Sequence, residues 1–358
     1  MFSLGLMSGT SADGIDAALC EISGSGADAR VELLAFECAP YAPELRERVL
    51  KACANEADVR ELARLNIAVA EAFAAHAQAM FDKHGRAELI GSHGQTVCHL
   101  PAEGVTLQIG DGCLISERTG VPVVSDFRQR DVACGGGGAP LVPYADWVML
   151  RHPSVNRAIL NLGGIANLTI LPAGCALEQV RAWDSGPGNM VMDALAGQFF
   201  GVPFDQGGAL AARGVASVFG FDHSYFARTP PKSCGREEFG ADFAARFAAS
   251  DPLDALASAT LLTARSVADS LRRWGDIGED FELIASGGGA RNATLMALLR
   301  AELPDADVFV SDDLGVPSAA REAMAFALLA AESTRGVPTS VVGATGARAP
   351  RVLGKRSG

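Results

Sequence analysis

The chain has 358 residues with a formal net charge of −12, and its 49% apolar and 20% charged residues are typical of a globular protein large enough for two domains. The acidic balance, with a pI near 5.0, argues against nucleic-acid binding, which requires a basic face. The eight cysteines lack a C-x-x-C spacing, which favours reduced thiols in the cytoplasm, and neither a signal peptide nor a membrane span is expected.

The predicted elements alternate between strands and helices, which indicates an α/β fold. Residues 4–22 read as two strands around the polar turn SGTSADG, and VELLAFECAPY continues as a third strand. A long helix that stops at Gly85 follows, predicted from the helical spacing of Val59, Leu62, Leu65, Val69 and Phe73. AELIGSHGQT is a strand that ends in a polar turn, and GVTLQIGDG and VPVVSDF are short strands. The glycine-rich stretch 134–147 suits a hinge or a backbone that approaches a ligand.

The second half of the chain begins like the first, because RAILNLGGIANLTIL at 157–171 is again strand, turn and strand. Strand–loop–helix units follow at VRAWDSGPGNMVMDALAGQFF, FELIASGGGARNATLMALLRAEL and DVFVSDDLGVPSAAREAMAFALLAAES, with a polar, helical region at about 205–275. The repeat predicts two related lobes with ligands at strand ends and helix starts. We expect an N-terminal lobe of 1–132, onto which about 332–358 packs back, and a C-terminal lobe of 133–331.

Three loops could bind phosphate or nucleotide. SGTSADG offers consecutive backbone N–H groups, hydroxyls and two aspartates that could hold Mg²⁺ or a substrate hydroxyl, although an ordinary Asp-Gly turn is the competing interpretation. Asparagines flank the turn in NLGGIANLT, and SGGGARN opens a helix, whose N-terminus favours negative charge. Neither a Walker A loop nor a clean dinucleotide fingerprint is present. The candidate phosphate- and ATP-binding residues are Gly9, Thr10, Ser11, Asp13, Gly14, Asp16, Asn161, Gly163, Gly164, Asn167, Gly287, Gly288, Gly289 and Asn292.

Charged side chains supply the other candidates. Asp184 of WDSGPGN ends a predicted strand and could act as a general base, or could hydrogen-bond its own turn. Glu322 lies in the first turns of a helix, where a solvated charge is the competing interpretation. Arg128 of DFRQRD, between Asp126 and Asp131, could grip a carboxylate through two N–H groups or could belong to a surface ion-pair cluster.

His93 of SHGQT ends a predicted strand, with Gly94 and Gln95 beside it. A lone histidine is more often structural than a ligand. His93, Cys98 and His99 could form a metal cluster, but no fourth ligand is near, so zinc is not favoured.

Taken in order, the two small-residue turns, the strand-end aspartate and the GGG loop resemble the actin-like ATPase arrangement of sugar kinases, acetate kinase and the Hsp70 ATPase domain. This resemblance implies a two-lobed, ribonuclease H-like fold with an ATP and sugar cleft between its lobes. The sequence also resembles the anhydro-N-acetylmuramic acid kinase family over about residues 4–331. The motifs that carry this resemblance are LMSGTSADGIDAAL, SHGQTV, DFRQRDVACGGGGAPLVPY, NLGGIANLT, DSGPGNMVMDA, SGGGARN and EAMAFALLA.

The family resemblance implies an enzyme that uses ATP and Mg²⁺ and takes a sugar released from peptidoglycan. It adds water across the 1,6-anhydro ring and phosphorylates O6, which gives N-acetylmuramic acid 6-phosphate. Asp184 matches the family's base, which activates the water that attacks C1, and an accessible aspartate needs no special tuning to be ionised at neutral pH. Glu322 matches an acidic position that supports Asp184 or the water.

The expected substrate contacts include Arg128 for the lactyl carboxylate of the sugar. The full set is Thr10, Asp13, His93, Gln95 and Arg128. The resemblance also implies a cytoplasmic homodimer. Two rival functions stay open: a simple sugar or acetate kinase that opens no ring, and a nucleotide-dependent switch of the same fold without a small-molecule acceptor.

Overall fold

A computed structural model describes residues 1–9, 11–247 and 251–358 and divides into two compact units. Unit 1 comprises Met1–Met149 with Ala320–Gly358, and unit 2 comprises Leu150–Ala319. The lobe boundaries predicted from the sequence, 132/133 and 331/332, differ from these. One reason is the buried ion pair between Asp146 and Arg321, which joins 133–149 and the segment after residue 319 within unit 1.

The N-terminal part of unit 1 begins with the expected strand–turn–strand. Its elements are β1 (Phe2–Ser8), β2 (Gly14–Ser23), β3 (Arg30–Pro40), α1 (Pro43–Cys53), α2 (Val59–His84), β4 (Leu89–Leu100), β5 (Val105–Ile109), α3 (Gly112–Thr119), β6 (Val123–Ser125), α4 (Phe127–Ala133) and α5 (Pro143–Leu150). Strand β4 does not end at the turn predicted in SHGQT, because its second half pairs with β5 as an antiparallel strand.

Helix α2 shows how local signals set its ends. The Asp58 side chain accepts a hydrogen bond from the Glu61 N–H at the start, and Gly85 follows the last turn with a φ of 101°. Of the periodic apolar residues, Leu65, Val69 and Phe73 are buried, but Val59 is 81% exposed. Val59 occupies the first helical position, so the buried stripe begins later than the periodicity predicted.

Unit 2 repeats the opening pattern with a second sheet. Its elements are β7 (Asn156–Leu162), β8 (Ile165–Leu171), β9 (Arg181–Pro187), α6 (Met190–Phe200), α7 (Arg236–Phe239), α8 (Ala241–Ala245), α9 (Pro252–Trp274), β10 (Phe281–Ser286), α10 (Ala293–Glu302) and β11 (Ala306–Val310). Between α6 and α9 the described chain is mostly 3-10 turns and short helices, so the helical prediction for 205–275 holds mainly for α9. Asp184 lies inside β9 rather than at its end, since β9 stays paired with β8 as far as Pro187.

The chain returns to unit 1 through α11 (Arg321–Thr334), α12 (Val342–Thr345) and β12 (Lys355–Ser357). Helix α11 packs directly on β1 and β4. Gly5 and Gly91 allow this close approach, because a Cβ on either one would overlap a backbone carbonyl of α11. Strand β12 pairs with β6 at the edge of the sheet.

The second sheet shares its topology with strands β1, β2, β3, β4 and β6 of the first, whereas β5 and β12 add to the first sheet as antiparallel strands. The first has the order β12-β6-β4-β1-β2-β3, with β5 attached to β4, and the second has the order β11-β10-β7-β8-β9. In each, three consecutive antiparallel strands are followed by strands that add in parallel on the other side of the first. The predicted α/β fold with a duplicated, actin-like arrangement is therefore confirmed.

Each unit has its own apolar core. In unit 1 it lies around residues such as Leu4, Val69 and Phe73, and in unit 2 around Trp183 and Phe239. The eight cysteines all lie in the described part of the chain and form no disulfide there. Among residues 1–9, 11–247 and 251–358, none of the helices combines the length and apolar character needed to cross a membrane.

Candidate active site

The turn between β1 and β2 carries the first group of candidate residues in unit 1. Ala12 has a φ of 48°, which is unusual for a residue other than glycine and occurs preferentially at functional sites. Gly9 accepts a hydrogen bond from the Ala12 N–H at 3.1 Å. Asp13 is exposed, as is Ser11, so its carboxylate can reach a ligand from solvent. Thr10 lies outside the described residues.

Asp16 is less accessible than Asp13. It belongs to β2 and is half-buried, and burial raises the pKa of its carboxyl, with Asp13 adding to the effect and a hydrogen bond with Cys38 opposing it. The two aspartates of the turn therefore differ in surroundings, and Asp13 is the one placed to meet a metal or a ligand.

Gln95 of β4 holds the start of this turn. Its Oε1 lies 2.7 Å from the Ser8 Oγ, and its Nε2 donates to the Gly9 carbonyl at 3.2 Å. The Ser8 hydroxyl also lies 2.8 Å from the Gly14 carbonyl. Because the fully buried Gln95 amide is engaged at both its oxygen and its nitrogen, we expect it to shape the turn rather than to contact a substrate.

His93 fixes the guanidinium of Arg128. The Arg128 Nε donates to the His93 Nε2 at 3.0 Å, and its Nη1 donates to the Gly138 carbonyl at 2.7 Å. The His93 Nδ1 lies 2.9 Å from the Gly94 carbonyl, so this geometry assigns its proton to Nδ1 and leaves Nε2 as the acceptor. Burial lowers the pKa of His93 well below its ordinary value, and the ring packs 4.7 Å from Phe326. His93 is thus a neutral, structural histidine that holds Arg128.

Glu322 lies close to Arg128. Burial lowers the pKa of Arg128 to about 10, and the negative charges of Glu322 and Asp131 oppose that effect. Glu322 occupies the first turn of α11, as predicted, and is half-buried. Glu322 is therefore partly shielded from solvent and close to a cation, rather than on a fully exposed helix face.

The acidic residues of DFRQRD do not form one surface cluster with Arg128. Asp126 forms an ion pair with Lys355. Asp131 is fully buried and accepts hydrogen bonds from the Gly138 N–H at 2.8 Å and the Thr345 hydroxyl at 2.9 Å. The glycine-rich stretch therefore wraps a buried carboxylate.

In unit 2, strand register aligns candidates from three separate motifs. Ser286 of β10 pairs with Asn161 of β7, Asn161 pairs with Asn167 of β8, and Asn167 pairs with Asp184 of β9. Residues directly opposite each other on neighbouring strands lie on one face of a sheet. The four polar residues therefore form a row across the sheet.

Asp184 is held by residues 40 to 50 positions further along the chain. Its Oδ2 accepts from the Cys234 N–H at 2.9 Å, its carbonyl accepts from the Tyr225 hydroxyl at 2.8 Å, and its N–H donates to the Lys232 carbonyl at 3.0 Å. Burial raises the pKa of Asp184 to about 7, the Glu237 charge adds to this, and the Cys234 N–H and the Lys232 charge oppose it. The carboxylate does not bond its own turn, and the expectation that it needs no tuning is also wrong.

Tyr225, Lys232 and Cys234 are not among the site residues predicted from the sequence, because they lie in the polar region without a glycine motif or a regular period. The available signal was the aromatic density of FGFDHSYFARTPPK. Two of its rings, Phe221 and Phe226, stack at 5.1 Å.

Backbone N–H groups of the segment after β9 bind the turn between β7 and β8. Gly163 accepts from the Asn189 N–H at 2.8 Å, and Gly164 accepts from the N–H groups of Gly188 at 2.9 Å and Met190 at 3.1 Å. A Cβ built on either Gly163 or Gly164 would meet nothing closer than 3.7 Å. The turn is therefore rigid and open on its outer side, which suits the approach of a phosphate.

In the GGG loop after β10, some glycines pack closely against neighbouring residues and one has space around it. A Cβ on Gly287 would lie 2.8 Å from the Asn161 Oδ1, and one on Gly289 would lie 2.7 Å from the Asn189 Oδ1, so both glycines permit close packing. Gly288 has more room, with its nearest neighbour at 3.8 Å. The Asn292 side chain accepts from the Leu295 N–H at 2.9 Å and so caps α10.

Metal binding has limited support from the protein atoms alone. In the ranges that the structure describes, no three His, Cys, Asp or Glu side chains come close enough to hold an ion. His99 instead places its Nδ1 3.0 Å from the Thr106 hydroxyl. Mg²⁺ is usually bound by one or two carboxylates together with phosphate oxygens, and the exposed Asp13 in the first turn fits that pattern.

The family model described as anhydro-N-acetylmuramic acid kinase matches residues 1–357 of this chain. The chain belongs to this family. It is 43% identical over 384 residues to the anhydro-N-acetylmuramic acid kinase of Salinibacter ruber, covering 99% of this chain and 95% of the relative. It is 44% identical over 371 residues to the protein of the same name from Synechococcus elongatus, covering 98% of each.

Among solved structures, component A of (R)-2-hydroxyglutaryl-CoA dehydratase from Acidaminococcus fermentans aligns with a TM-score of 0.49 and 12% identity. That alignment covers 94% of this chain and 99% of the other. The family predicted from the loop sequences is confirmed by the family model that matches residues 1–357 and by the relatives at 43% and 44% identity.

Proposed function

We propose that this protein is an ATP-dependent kinase that opens the 1,6-anhydro ring of anhydro-N-acetylmuramic acid with water and phosphorylates O6. The observation that carries this proposal is the family match over residues 1–357. The position of Asp184 beside two glycine loops supports the assignment of the base, because two hydrogen bonds fix its backbone and a third fixes its carboxylate.

In the proposed reaction, the Asp184 carboxylate takes a proton from a water molecule as the water oxygen bonds to C1 of the sugar. The C1–O6 bond breaks, and the electron pair leaves with O6. The O6 oxygen then attacks the γ-phosphorus of ATP, and ADP departs. A separate base for O6 is unnecessary, because ring opening itself generates the nucleophile.

We propose phosphate- and nucleotide-binding roles for backbone-rich turns within each unit. Unit 2 contributes Asn161, Gly163, Gly164, Asn167 and the loop Gly287–Gly289, with Asn292 as the cap of the helix that follows. Unit 1 contributes the turn from Gly9 to Gly14 together with Asp16. Mg²⁺, when bound, neutralises charge on the phosphate oxygens, and Asp13 is the carboxylate that we assign to it.

The proposed sugar contacts depend on Arg128. Among the described residues no hydrogen bond engages its Nη2 group, which can therefore donate to the lactyl carboxylate. His93 contributes by holding Arg128, and Gln95 by holding the first turn. Thr10 and Asp13 remain proposed sugar contacts. Glu322 remains the acidic residue proposed to support Asp184 or the water. The cytoplasmic homodimer stays a prediction.

The test is to incubate the protein with ATP, Mg²⁺ and the anhydro sugar in ¹⁸O-labelled water and to locate the label. We expect ¹⁸O at C1 and phosphate at O6 in one product, and loss of that product with Asp184→Asn. Asp193→Asn is the matched control, because Asp193 is another half-buried aspartate of unit 2 whose pKa burial raises, to about 6.

The same assay separates the rivals. A phosphorylated product with the ring intact, or efficient phosphorylation of an open-ring sugar alone, would favour a simple sugar kinase. ATP hydrolysis that is unaffected by any sugar would favour a nucleotide switch. Ring opening that persists in Asp184→Asn would show that another group is the base.

A further inference from the structure

The strand that carries Asp184 is at the edge of its sheet. Strand β9 pairs with β8 on one side only, so its other side presents backbone groups that need partners. The segment Tyr225–Cys234, which we call the docking segment, supplies them at Asp184. The Asp184 N–H donates to the Lys232 carbonyl, and the Asp184 carbonyl accepts from the Tyr225 hydroxyl.

We propose that the docking segment positions the Asp184 carboxylate for catalysis, with Tyr225 and Lys232 as its positioning residues. This inference rests on the proposed function, in which Asp184 is the base. It assigns a role in the reaction to a region that carries no glycine loop and no acidic motif.

The contacts restrain more than the strand edge. Two of them fix the Asp184 backbone on both sides, and the third, from the Cys234 N–H to Oδ2 at 2.9 Å, fixes the carboxylate itself. Among the described residues, Oδ1 has no hydrogen-bond partner and is the oxygen left to accept a proton. A segment that only covered the edge of β9 would need only the backbone hydrogen bonds. The hydrogen bond to Oδ2 also sets the orientation of the Asp184 carboxylate.

Aromatic rings hold Lys232 in place. Its Nζ lies 4.7 Å from the centre of the Tyr225 ring and 4.2 Å from that of the Trp274 ring, within the range of cation–π attraction. Tyr225 is fully buried, so its hydroxyl has few alternative positions. Tyr225 therefore anchors Lys232 through its ring and donates to the Asp184 carbonyl through its hydroxyl.

Charged groups around Asp184 come from several elements. The docking segment brings the Lys232 ammonium, and Glu237 of α7 brings a carboxylate that acts in the opposite direction. Helix α9 contributes Asp269 and Arg273, which lie near Lys232. Arg228 of the docking segment lies near Lys232 and Tyr225, and Glu238 of α7 lies near Cys234. Strand β8 carries no titratable side chain, and the hydroxyl of Tyr225 and the thiol of Cys234 are further neighbours.

The first test is Tyr225→Phe, which removes one hydroxyl and keeps the ring. Alignment of a base matters in the transition state more than in substrate binding. We therefore expect kcat to fall about tenfold with KM unchanged within about twofold. Tyr144→Phe is the control, because it removes a buried hydroxyl that bonds Glu332 in unit 1. A kcat for Tyr225→Phe within about twofold of the wild type overturns the inference.

The second test is the pH profile of kcat for Lys232→Met, which remains informative if Tyr225→Phe does not fold. Loss of the Lys232 positive charge raises the pKa of Asp184, so the ascending limb should move to higher pH, and Lys232→Arg should restore it. A limb that stays in place in Lys232→Met overturns the inference. Failure of the proposed function is distinguishable, since the wild type itself would then leave the ring intact, and failure of the base assignment would show as ring opening that persists in Asp184→Asn.

Discussion

Replacing Asp184 by Asn is expected to make the protein more stable and inactive. The structure places this carboxyl where burial raises its pKa to about 7 from an ordinary value of 3.8. An asparagine is neutral at every pH, and its side-chain oxygen can still accept from the Cys234 N–H. The variant therefore avoids burial of a charge without losing the hydrogen bond.

The sign follows from proton binding. Between about pH 4 and pH 7 the folded wild type holds the Asp184 proton and the unfolded chain does not, so the free energy of unfolding of the wild type falls as the pH rises. The contribution is fully present below the unfolded pKa and is lost as the pH rises through about 7. Relative to the wild type, the free energy of unfolding of Asp184→Asn is raised little at pH 4 and most at pH 8.

The magnitude follows from the size of the pKa shift. About 3 pH units at about 1.4 kcal/mol each give an upper limit of about 4 kcal/mol. Asp184 is half-buried, and solvent screening reduces this to about 2–4 kcal/mol at pH 8. For a unit of 150–250 residues, that corresponds to a rise in Tm of about 4–16 °C.

The assay is thermal unfolding of the wild type, Asp184→Asn and Asp193→Asn at about pH 4, 6 and 8. The melting temperature of Asp193→Asn relative to the wild type should rise less with pH, because burial raises the pKa of Asp193 only to about 6. This variant should keep its activity. Melting temperatures of wild type and Asp184→Asn that stay parallel from pH 4 to 8 would refute the reasoning. They would mean that Asp184 is ionised at little cost.

Three further predictions concern unit 1. Asp146→Ala leaves the buried Arg321 guanidinium without its carboxylate, and we expect a loss of about 3–5 kcal/mol in thermal or urea unfolding; a loss below about 1 kcal/mol would contradict the burial of this pair. Gly91→Ala places a Cβ against the Phe326 carbonyl, so we expect a loss of about 1–3 kcal/mol in the same measurement, and an unchanged Tm would show that α11 can shift freely. Gln95→Met removes the amide that holds the first turn, so we expect a KM for ATP raised about tenfold with little change in Tm; an unchanged KM would separate this turn from nucleotide binding.

The local features of the fold could be predicted from the sequence because their causes are local. The strand–turn–strand at the start, the cap at Asp58 and the stop at Gly85 depend on residues a few positions apart. The two glycine turns and the GGG loop also stand out in the sequence, and their residues were sufficient to identify the family. The predicted end of β4 was wrong because its continuation depends on pairing with β5.

The surroundings of the candidate site required the tertiary structure because its partners are distant in the chain. Strand register aligns Asn161, Asn167 and Asp184, and no local pattern encodes that register. Burial and the Cys234 N–H, contributed from 50 positions away, set the protonation of Asp184. The sequence by itself therefore determined the family, the loops and which aspartate to consider, while the tertiary structure decided how that carboxylate is held and at what pH it ionises.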